Sequence, residues 1–161
     1  MLVIRSVTPA DSDALWAILE PVIRAGETYA LDRDMPRDAA LDWWAGPGRE
    51  AFVAEEEGRV VGTYYLRANH AGGGSHVANA GYAVASRATG RGVARAMCAH
   101  SLEKARAREF RAMQFNFVVS TNVAAAHLWQ AMGFAIAGTI PRGFQHPAHG
   151  YVDAYMMYRA L

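Results

Sequence analysis

A glycine-punctuated turn between an apolar strand and a helix constrains this chain more than any other segment. The strand ends in Tyr82-Ala83-Val84, and Gly90 and Gly92 precede a helix that begins near Val93. Such a turn exposes several backbone N–H groups at the positive end of a helix dipole, where anions bind. Glycine has no Cβ, so a ligand can approach the backbone closely. Two arginines of the turn, Arg91 and Arg95, add positive charge, and the segment therefore predicts a phosphate-binding site.

These residues lack the features of two well-known phosphate-binding turns. A nucleoside-triphosphatase loop needs a lysine followed by Ser or Thr, which hold the phosphates and magnesium, and residues 86–95 contain no lysine. Dinucleotide-binding turns carry glycines in the spacing G-x-G-x-x-G, which is also absent here. The turn is therefore expected to hold a phosphate-bearing ligand of another kind.

Length and composition predict one folded domain over residues 1–161. The chain is 52% hydrophobic and 19% charged, which is typical of a globular protein and not of a disordered one. A formal net charge of +1 gives no electrostatic reason to expect nucleic acid as a partner. The single cysteine, Cys98, fits a reducing compartment, and no apolar run approaches membrane-spanning length. We therefore expect a cytoplasmic protein with neither a nucleic-acid nor a membrane partner.

Apolar periodicity and turn residues predict strands and helices that alternate along the chain. Residues 112–119 alternate strictly, which places Met113, Phe115, Phe117 and Val119 on one side of a strand. The last two strands are predicted at 134–140 and 151–158. Between them, residues 141–150 are expected to form a loop. This loop contains many chemically reactive or polar side chains, so we expect it to do more than connect the two strands.

Two motifs, in this order and one strand apart, resemble those of the GNAT N-acetyltransferase superfamily. The family turn (Arg/Gln)-x-x-Gly-x-(Gly/Ala) is similar to Thr89-Gly90-Arg91-Gly92-Val93-Ala94, and Asn-x-x-Ala-x-x-Leu-Tyr-x-x-x-Gly-Phe is similar to residues 122–134. The resemblance implies a mixed α/β (α+β) fold. Its central sheet of about seven strands is twisted and mostly antiparallel, contains one splayed strand pair and is flanked by helices.

The resemblance also implies a set of residues that bind acetyl-CoA, with no metal. In the family, the pantetheine arm lies between the splayed strands like an extra strand. By this analogy Tyr82 and Val84 bind pantetheine and the acetyl carbonyl, and Asn122 contacts the arm. Asn122 is also expected to cap the helix that follows it. The diphosphate is expected on the turn and the first residues of the following helix, namely Gly90, Arg91, Gly92, Val93, Ala94 and Arg95.

Three positions depart from the family pattern. Thr89 stands where Arg or Gln is usual, which removes a side-chain contact and leaves the backbone donors. Trp129 stands where many members have a tyrosine that acts as general acid, and an indole N–H does not protonate a leaving thiolate. Phe117 stands where some members have a glutamate base. The proton source is therefore expected to be Tyr82 or a water molecule.

Three shorter runs, at 75–82, 113–116 and 150–154, are similar to a GNAT branch that includes the yeast-type azetidine-2-carboxylate (proline-analogue) acetyltransferases. In that branch, one asparagine on each splayed strand serves in substrate binding and catalysis, which here implies Asn79 and Asn116. Asparagine is disfavoured in strands, and a buried amide needs partners. The alternative is that the two amides only satisfy each other across the strands.

The polar cluster after the first helix, formed by Glu27, Thr28 and Tyr29, is expected to line the acceptor pocket. Glu27 would attract or deprotonate an ammonium group, and the alternative is an ordinary solvated loop. His76, His146 and His149 lack the spacing of a metal site.

Together these features predict acetyl transfer from acetyl-CoA to the amine of a small molecule, an amino acid or an analogue, by direct attack in a ternary complex. One alternative is an acetyltransferase of the phosphinothricin or methionine-sulfoximine type, whose acceptor loop is similar in the spacing of Thr28-Tyr29, Pro36 and Trp43. Another is a non-catalytic module that binds acyl-CoA. A homodimer is an expectation that comes from the family alone.

Overall fold

The computed structural model describes residues 1–161, and its seven strands form one sheet. The strands are β1 (Leu2–Ser6), β2 (Glu50–Glu56), β3 (Arg59–Ala68), β4 (Val77–Val84), β5 (Ala112–Val119), β6 (Ala135–His146) and β7 (Gly150–Ala160). The helices are α1 (Ser12–Ala25), α2 (Arg37–Ala45), α3 (Val93–Ala107) and α4 (Val123–Ala131). Short 3-10 turns lie at Pro9–Asp11, Gly72–Gly74 and Ser86–Ala88.

The strand order is β1-β2-β3-β4-β5-β7-β6, and every neighbouring pair except β4–β5 is antiparallel. The parallel pair β4–β5 is short, because only Val77 pairs with Ala112 and Ala78 with Met113. Beyond these residues the two strands diverge. The predicted fold class, a mixed α/β fold with a mostly antiparallel sheet of seven strands and flanking helices, is confirmed.

Helices cover both faces of the sheet, as the alternating side chains of β3 demonstrate. On one face, the Trp44 indole of α2 donates to the Thr63 hydroxyl at 3.0 Å. On the other face, Tyr64 meets His100 of α3 at 2.7 Å. Both faces are therefore buried over the central strands, which explains why β3 is apolar over most of its length.

α3 buries one face against the sheet. Met97, Cys98, Ser101 and Ala105 are each fully buried. Burial raises the pKa of the Cys98 thiol to about 11. The cysteine is therefore a packing residue in this fold.

Arg5 joins the first strand to the start of α1 and to β2. Its guanidinium binds both carboxylate oxygens of Asp11 at 2.9 Å and also reaches Glu55 at 2.8 Å. The backbone N–H of Thr8 donates to Asp11 at 2.7 Å. These contacts hold the pKa of the buried Asp11 carboxyl well below its usual range.

Two details of the last strands differ from the sequence prediction. A bulge interrupts β5 between Phe115 and Val118, so the strict alternation predicted for 112–119 is wrong beyond Phe115. The expected loop at 141–150 is also wrong, because β6 continues to His146 and only residues 147–149 form the turn before β7. None of the helices is both long and apolar enough to cross a membrane.

Candidate active site

The divergence of β4 and β5 opens a cavity of about 550 Å³ between them. The cavity extends from the loop after α1, past the inner edges of the two strands, to the first turns of α3 and α4. Its volume lies within the usual range for small-molecule sites. The residues that line it include Thr28, Tyr29, Gly81, Tyr82, Val84, Gly90, Gly92, Ala94, Phe117, Asn122 and Trp129.

The backbone of β4 presents hydrogen-bonding groups to this gap. The carbonyl of Val77 and the N–H of Ala85 bond toward β3, so the odd-numbered residues of β4 are paired on that side. Backbone groups alternate in direction along a strand. The N–H and C=O groups of Tyr82 and Val84 therefore point into the gap, where β5 has moved away.

The glycine turn and the first turn of α3 form the far end of the cavity. Gly90 and Gly92 have φ of +76° and +79°, and a Cβ on either residue would meet no atom within 4 Å. No side chain caps α3, and its first backbone bond runs from Ala96 to Gly92. The N–H groups of Val93, Ala94 and Arg95 are therefore free of intrahelical partners, as an anion site requires.

The two arginines of the turn are placed differently. Arg95 lines the cavity. Arg91 does not, because its guanidinium pairs with Glu56 of β2 at 2.5 Å. Thr89 also lines the cavity. Any anion at this end of the cavity would therefore meet mainly the backbone of the turn.

The loop after α1 contributes two of its three predicted residues to the cavity. Thr28 and Tyr29 line it, whereas Glu27 is exposed outside it. The Tyr29 hydroxyl donates to the Tyr82 carbonyl at 2.5 Å, on the gap side of β4. Burial raises the pKa of Tyr29 far above its ordinary value, so this hydroxyl stays a hydrogen-bond donor.

The side chain of Tyr82 turns from the gap into the protein interior. Its ring packs 4.9 Å from that of Trp129, while its hydroxyl bonds to Ser101 at 2.7 Å. Ser101 in turn donates to the carbonyl of Cys98. Burial raises the pKa of Tyr82 well above its ordinary value. Tyr82 therefore presents backbone groups to the cavity and keeps its proton in a buried network.

Asn79 bridges the two strands at the point where they part. Its amide nitrogen donates to the carbonyl of Gln114 on β5 at 3.0 Å, and its oxygen accepts from Arg67 at 3.0 Å. The Tyr65 hydroxyl is a weaker donor to the same oxygen at 3.4 Å. The side chain is only 4% exposed and does not line the cavity. These contacts give Asn79 a structural role in holding β4 to β5.

Asn116 lies on the same face but does not pair with Asn79. It accepts from Gln114 at 3.1 Å and donates to Asn69 at 2.7 Å, which makes a chain of three amides. Asn116 is half-buried, and its neighbour Phe117 lines the cavity. The alternative of a direct pair between Asn79 and Asn116 is therefore wrong, since each amide has other partners.

Asn122 combines the two interpretations that its sequence position allows. Its side chain caps α4 by accepting from the N–H of Ala125 at 3.4 Å, and the residue also lines the cavity. Trp129 lies about two turns further along α4, buried, with its ring centroid 5.0 Å from that of Phe115. This indole occupies the place at which the family pattern has a tyrosine.

No histidine lines the cavity. His146 accepts from the backbone N–H groups of Ala148 and His149 at the end of the β6–β7 hairpin, and the two imidazole rings are 4.5 Å apart. The structure contains no group of three or more His, Cys, Asp or Glu side chains arranged to hold a metal ion.

Sequence reasoning missed two arginines near the gap, Arg49 and Arg67. Arg67 donates to Asn79, and the Arg49 guanidinium stacks over the rings of Trp43 at 4.7 Å and Tyr65 at 5.2 Å. The available signal was an arginine at the end of the otherwise apolar strand β3. The role of this arginine depends on its neighbours on adjacent strands, and the sequence of one strand does not show which residues those are.

Comparison with known proteins places these features in a family. Residues 16–134 match the sequence model of the acetyltransferase (GNAT) family. The matched segment begins in α1 and ends just before β6, so it contains β4, β5 and the whole glycine turn.

Solved and curated proteins agree with this match. A structure of a GCN5-related N-acetyltransferase from Kribbella flavida is 41% identical, with a TM-score of 0.94 over 99% of this chain and 98% of that one. A ribosomal-protein-alanine N-acetyltransferase from Brucella melitensis is 27% identical, with a TM-score of 0.87 over 99% of both chains. The N-acetyltransferase aca1 of Schizosaccharomyces pombe is 28% identical across 83% of this chain and 72% of its own length.

Proposed function

This chain belongs to the acetyltransferase (GNAT) family, and we propose that it transfers an acetyl group from acetyl-CoA to the amine of a small molecule. The acceptor that we propose is an amino acid or an analogue, and the reaction is direct attack within a ternary complex. The observation that carries the proposal is the cavity between β4 and β5, which joins unpaired strand backbone to a helix N-terminus. An extended chain with a diphosphate at one end fits such a cavity.

The fit to acetyl-CoA rests on the donors of this chain. The N–H groups of Val93, Ala94 and Arg95 would hold the diphosphate, and the glycines at 90 and 92 leave room for its close approach. The backbone of Tyr82 and Val84 would bind the pantetheine arm as a strand binds its neighbour. When bound, acetyl-CoA supplies the acetyl group as an activated thioester.

We assign stabilisation of the developing negative charge on the carbonyl oxygen to the amide of Asn116 or Asn79. The N–H of Val84 lies about 16 Å further along β4 than Asn79 and is assigned to the pantetheine arm alone. One well-placed donor of this kind is worth roughly 3–4 kcal/mol in the transition state. Asn116 is the better placed of the two amides, because it is half-buried beside the cavity-lining Phe117 whereas Asn79 is only 4% exposed. The Asn116 amide nitrogen donates one hydrogen to Asn69 and has a second to offer.

The reaction needs two proton transfers, one from the acceptor amine and one to the leaving thiolate. The acceptor amine loses its proton to water or to Glu27, which lies outside the cavity beside Thr28. Because the Tyr82 hydroxyl is bound to Ser101, we assign final protonation of the thiolate to water.

Two other functions remain as outcomes of the tests. A non-catalytic acyl-CoA module is favoured by Trp129 and Phe117, which occupy the positions of the family acid and base. A phosphinothricin-type acceptor is favoured by the positions of Thr28 and Tyr29 in the cavity.

The cofactor site is tested by placing a negative charge where the diphosphate would bind. We expect Gly92→Glu to raise the Kd for acetyl-CoA, measured by calorimetry, by about 10-fold or more. The control is Gly150→Glu, because Gly150 also has a positive φ, +69°, and open space around it but lies in the β6–β7 turn. Equal Kd values for the two variants would contradict the assigned site.

Turnover is tested by following thiol release from acetyl-CoA with a panel of amino acids, phosphinothricin and a peptide beginning with alanine. Release with amino acids supports the proposed function, and release with phosphinothricin alone supports the alternative acceptor. Tight binding of acetyl-CoA without thiol release on any amine would identify a non-catalytic module and overturn the proposal.

A further inference from the structure

Five polar side chains form a row across one end of the sheet, on the face that α2 covers. Arg67 of β3 is the register partner of Asn79 on β4, and Asn79 reaches the Gln114 carbonyl on β5. Asn116 of β5 donates to Asn69, which follows β3. Arg49 directly precedes Glu50, which pairs with Leu66, so Arg49 lies beside Arg67. The set, called here the polar row, consists of Arg49, Arg67, Asn69, Asn79 and Asn116.

The polar row carries positive charge without a carboxylate partner. The five ion pairs of the structure use Arg5, Arg37, Arg91 and Arg108, and neither Arg49 nor Arg67 belongs to any of them. Burial, and then the charge of Arg67, lower the pKa of Arg49, and weaker effects of Tyr65 and Asp42 oppose them. Two guanidiniums held together at a partly desolvated site favour the binding of an anion.

Two hydrogen-bond donors of the row are buried and have no partner. They are the Nε of Arg49 and the amide nitrogen of Asn69. Native structures leave few such groups unpaired, because a buried donor without an acceptor costs stability. The oxygen of Asn69 is already taken by Asn116, so its amide nitrogen is the free end of the amide chain.

The row lies immediately beside the proposed reaction site. Asn79 directly precedes Ala80 and Gly81, which both line the cavity. The Tyr65 ring lies against Gly81, since a Cβ there would be 2.6 Å from its Cε1 atom. Neighbouring strands are about 4.8 Å apart, so Arg67 lies one strand from β4 and Arg49 lies two. The Arg67 side chain reaches Asn79, and the Arg49 guanidinium lies over the Tyr65 ring, so an anion held between the two arginines would lie beside the residues that border the gap.

We propose that the polar row binds the free carboxylate of the acceptor, which is therefore an amino acid whose carboxylate is close to the reacting amine. The inference rests on the proposed acetyl transfer and adds the acceptor class and its binding residues. Arg49 supplies the charge and an unpaired donor, Arg67 supplies the second charge, and Asn69 supplies the second unpaired donor. A peptide N-terminus offers no carboxylate at this distance, and the row therefore disfavours protein acceptors.

The kinetic test compares each amino acid of the panel with its carboxamide, which keeps the amine and loses the charge. We expect the wild-type protein to prefer the acid by about 10- to 100-fold in kcat/KM. Arg49→Gln is expected to abolish most of that preference by raising KM for the acid, and Arg49→Lys to restore part of it. The control is Arg106→Gln, which removes the same charge from an exposed position on α3 and is expected to leave the preference unchanged.

A binding arm separates this inference from the proposed function. Calorimetry with the same acids and carboxamides, on protein saturated with CoA, measures the carboxylate preference without turnover. Binding of acids that depends on Arg49, without any thiol release, would uphold the polar row as a carboxylate site and refute catalysis. Equal turnover of acids and carboxamides, or turnover of peptides alone, would overturn the inference while acetyl transfer stands.

Discussion

At the scale of single residues, the bond from Tyr29 to the Tyr82 carbonyl connects the acceptor loop to the strand that borders the gap. It is a 2.5 Å contact between a half-buried phenol and a backbone group that has no strand partner on that side. The Tyr29 ring also packs edge-on against Trp43 and Trp44 of α2. One side chain therefore fixes the position of the loop relative to β4.

We expect Tyr29→Phe to lower the free energy of unfolding by about 1–3 kcal/mol, because the Tyr82 carbonyl is left without its donor. A decrease in kcat/KM for the acceptor should accompany this loss, since Thr28 and the loop would be held less firmly. Urea unfolding and steady-state kinetics measure the two effects. Tyr158→Phe is the matched control, because Tyr158 is 41% exposed on β7. Identical behaviour of the two variants would contradict the role assigned to the Tyr29 hydroxyl.

At the scale of secondary-structure elements, the site depends on where β4 and β5 separate. Their two backbone pairings are followed at once by the bond between the Asn79 side chain and the Gln114 carbonyl, which closes the end of the gap. The bulge in β5 then places Phe117 beside the cavity. A side chain and a bulge thus set the length of the gap.

The two asparagines should respond differently to truncation. Asn79→Ala is expected to lower the free energy of unfolding by about 1–3 kcal/mol, because it leaves Arg67 and the Gln114 carbonyl without this partner. Asn116→Ala is expected to cost less stability, since water reaches this half-buried site, and to lower kcat by about 100-fold. Denaturation and single-turnover kinetics on both variants test the contrast. A larger kcat effect at Asn79 than at Asn116 would reverse the assignment.

How far each element could be predicted from sequence depends on the range of the interactions that form it. The turn at Gly90 and Gly92 and the cap at Asn122 follow from local backbone preferences, so the sequence predicts both. The bulge in β5 and the continuation of β6 to His146 depend on pairing with β7, which is distant along the chain. The polar row is the extreme case, because its members come from separate strands and none has a distinctive local pattern.

At the scale of the whole molecule, the contacts of Arg5 tie the N-terminal strand and the entry to α1 to the rest of the sheet. Asp11 is the buried partner in this cluster, and its pKa is depressed by the guanidinium. A carboxyl whose pKa is lower in the folded state than in the unfolded state stabilises the fold above its unfolded pKa of about 3.9. That stabilisation is lost as the pH falls further.

We expect Asp11→Asn to lower the free energy of unfolding by about 1–2 kcal/mol near neutral pH, at the lower end for a charged hydrogen bond because Arg5 is partly exposed. The difference from the wild-type protein should shrink as the pH falls below about 4. Urea unfolding at several pH values measures it. Asp13→Asn is the control, since the Asp13 side chain is 89% exposed. A difference that stays constant with pH would refute the ion-pair explanation.

The burial of Cys98 has a practical consequence for work on this enzyme. Disulfide-exchange reagents react with thiolates that they can reach, and the sole sulfhydryl of this chain is both enclosed and protonated near neutral pH. Free coenzyme released during catalysis would then be the dominant reactive sulfur in the cuvette. A colorimetric reagent can therefore be present throughout the reaction, with a flat enzyme blank, and the blank should rise by one equivalent per chain only after denaturant is added.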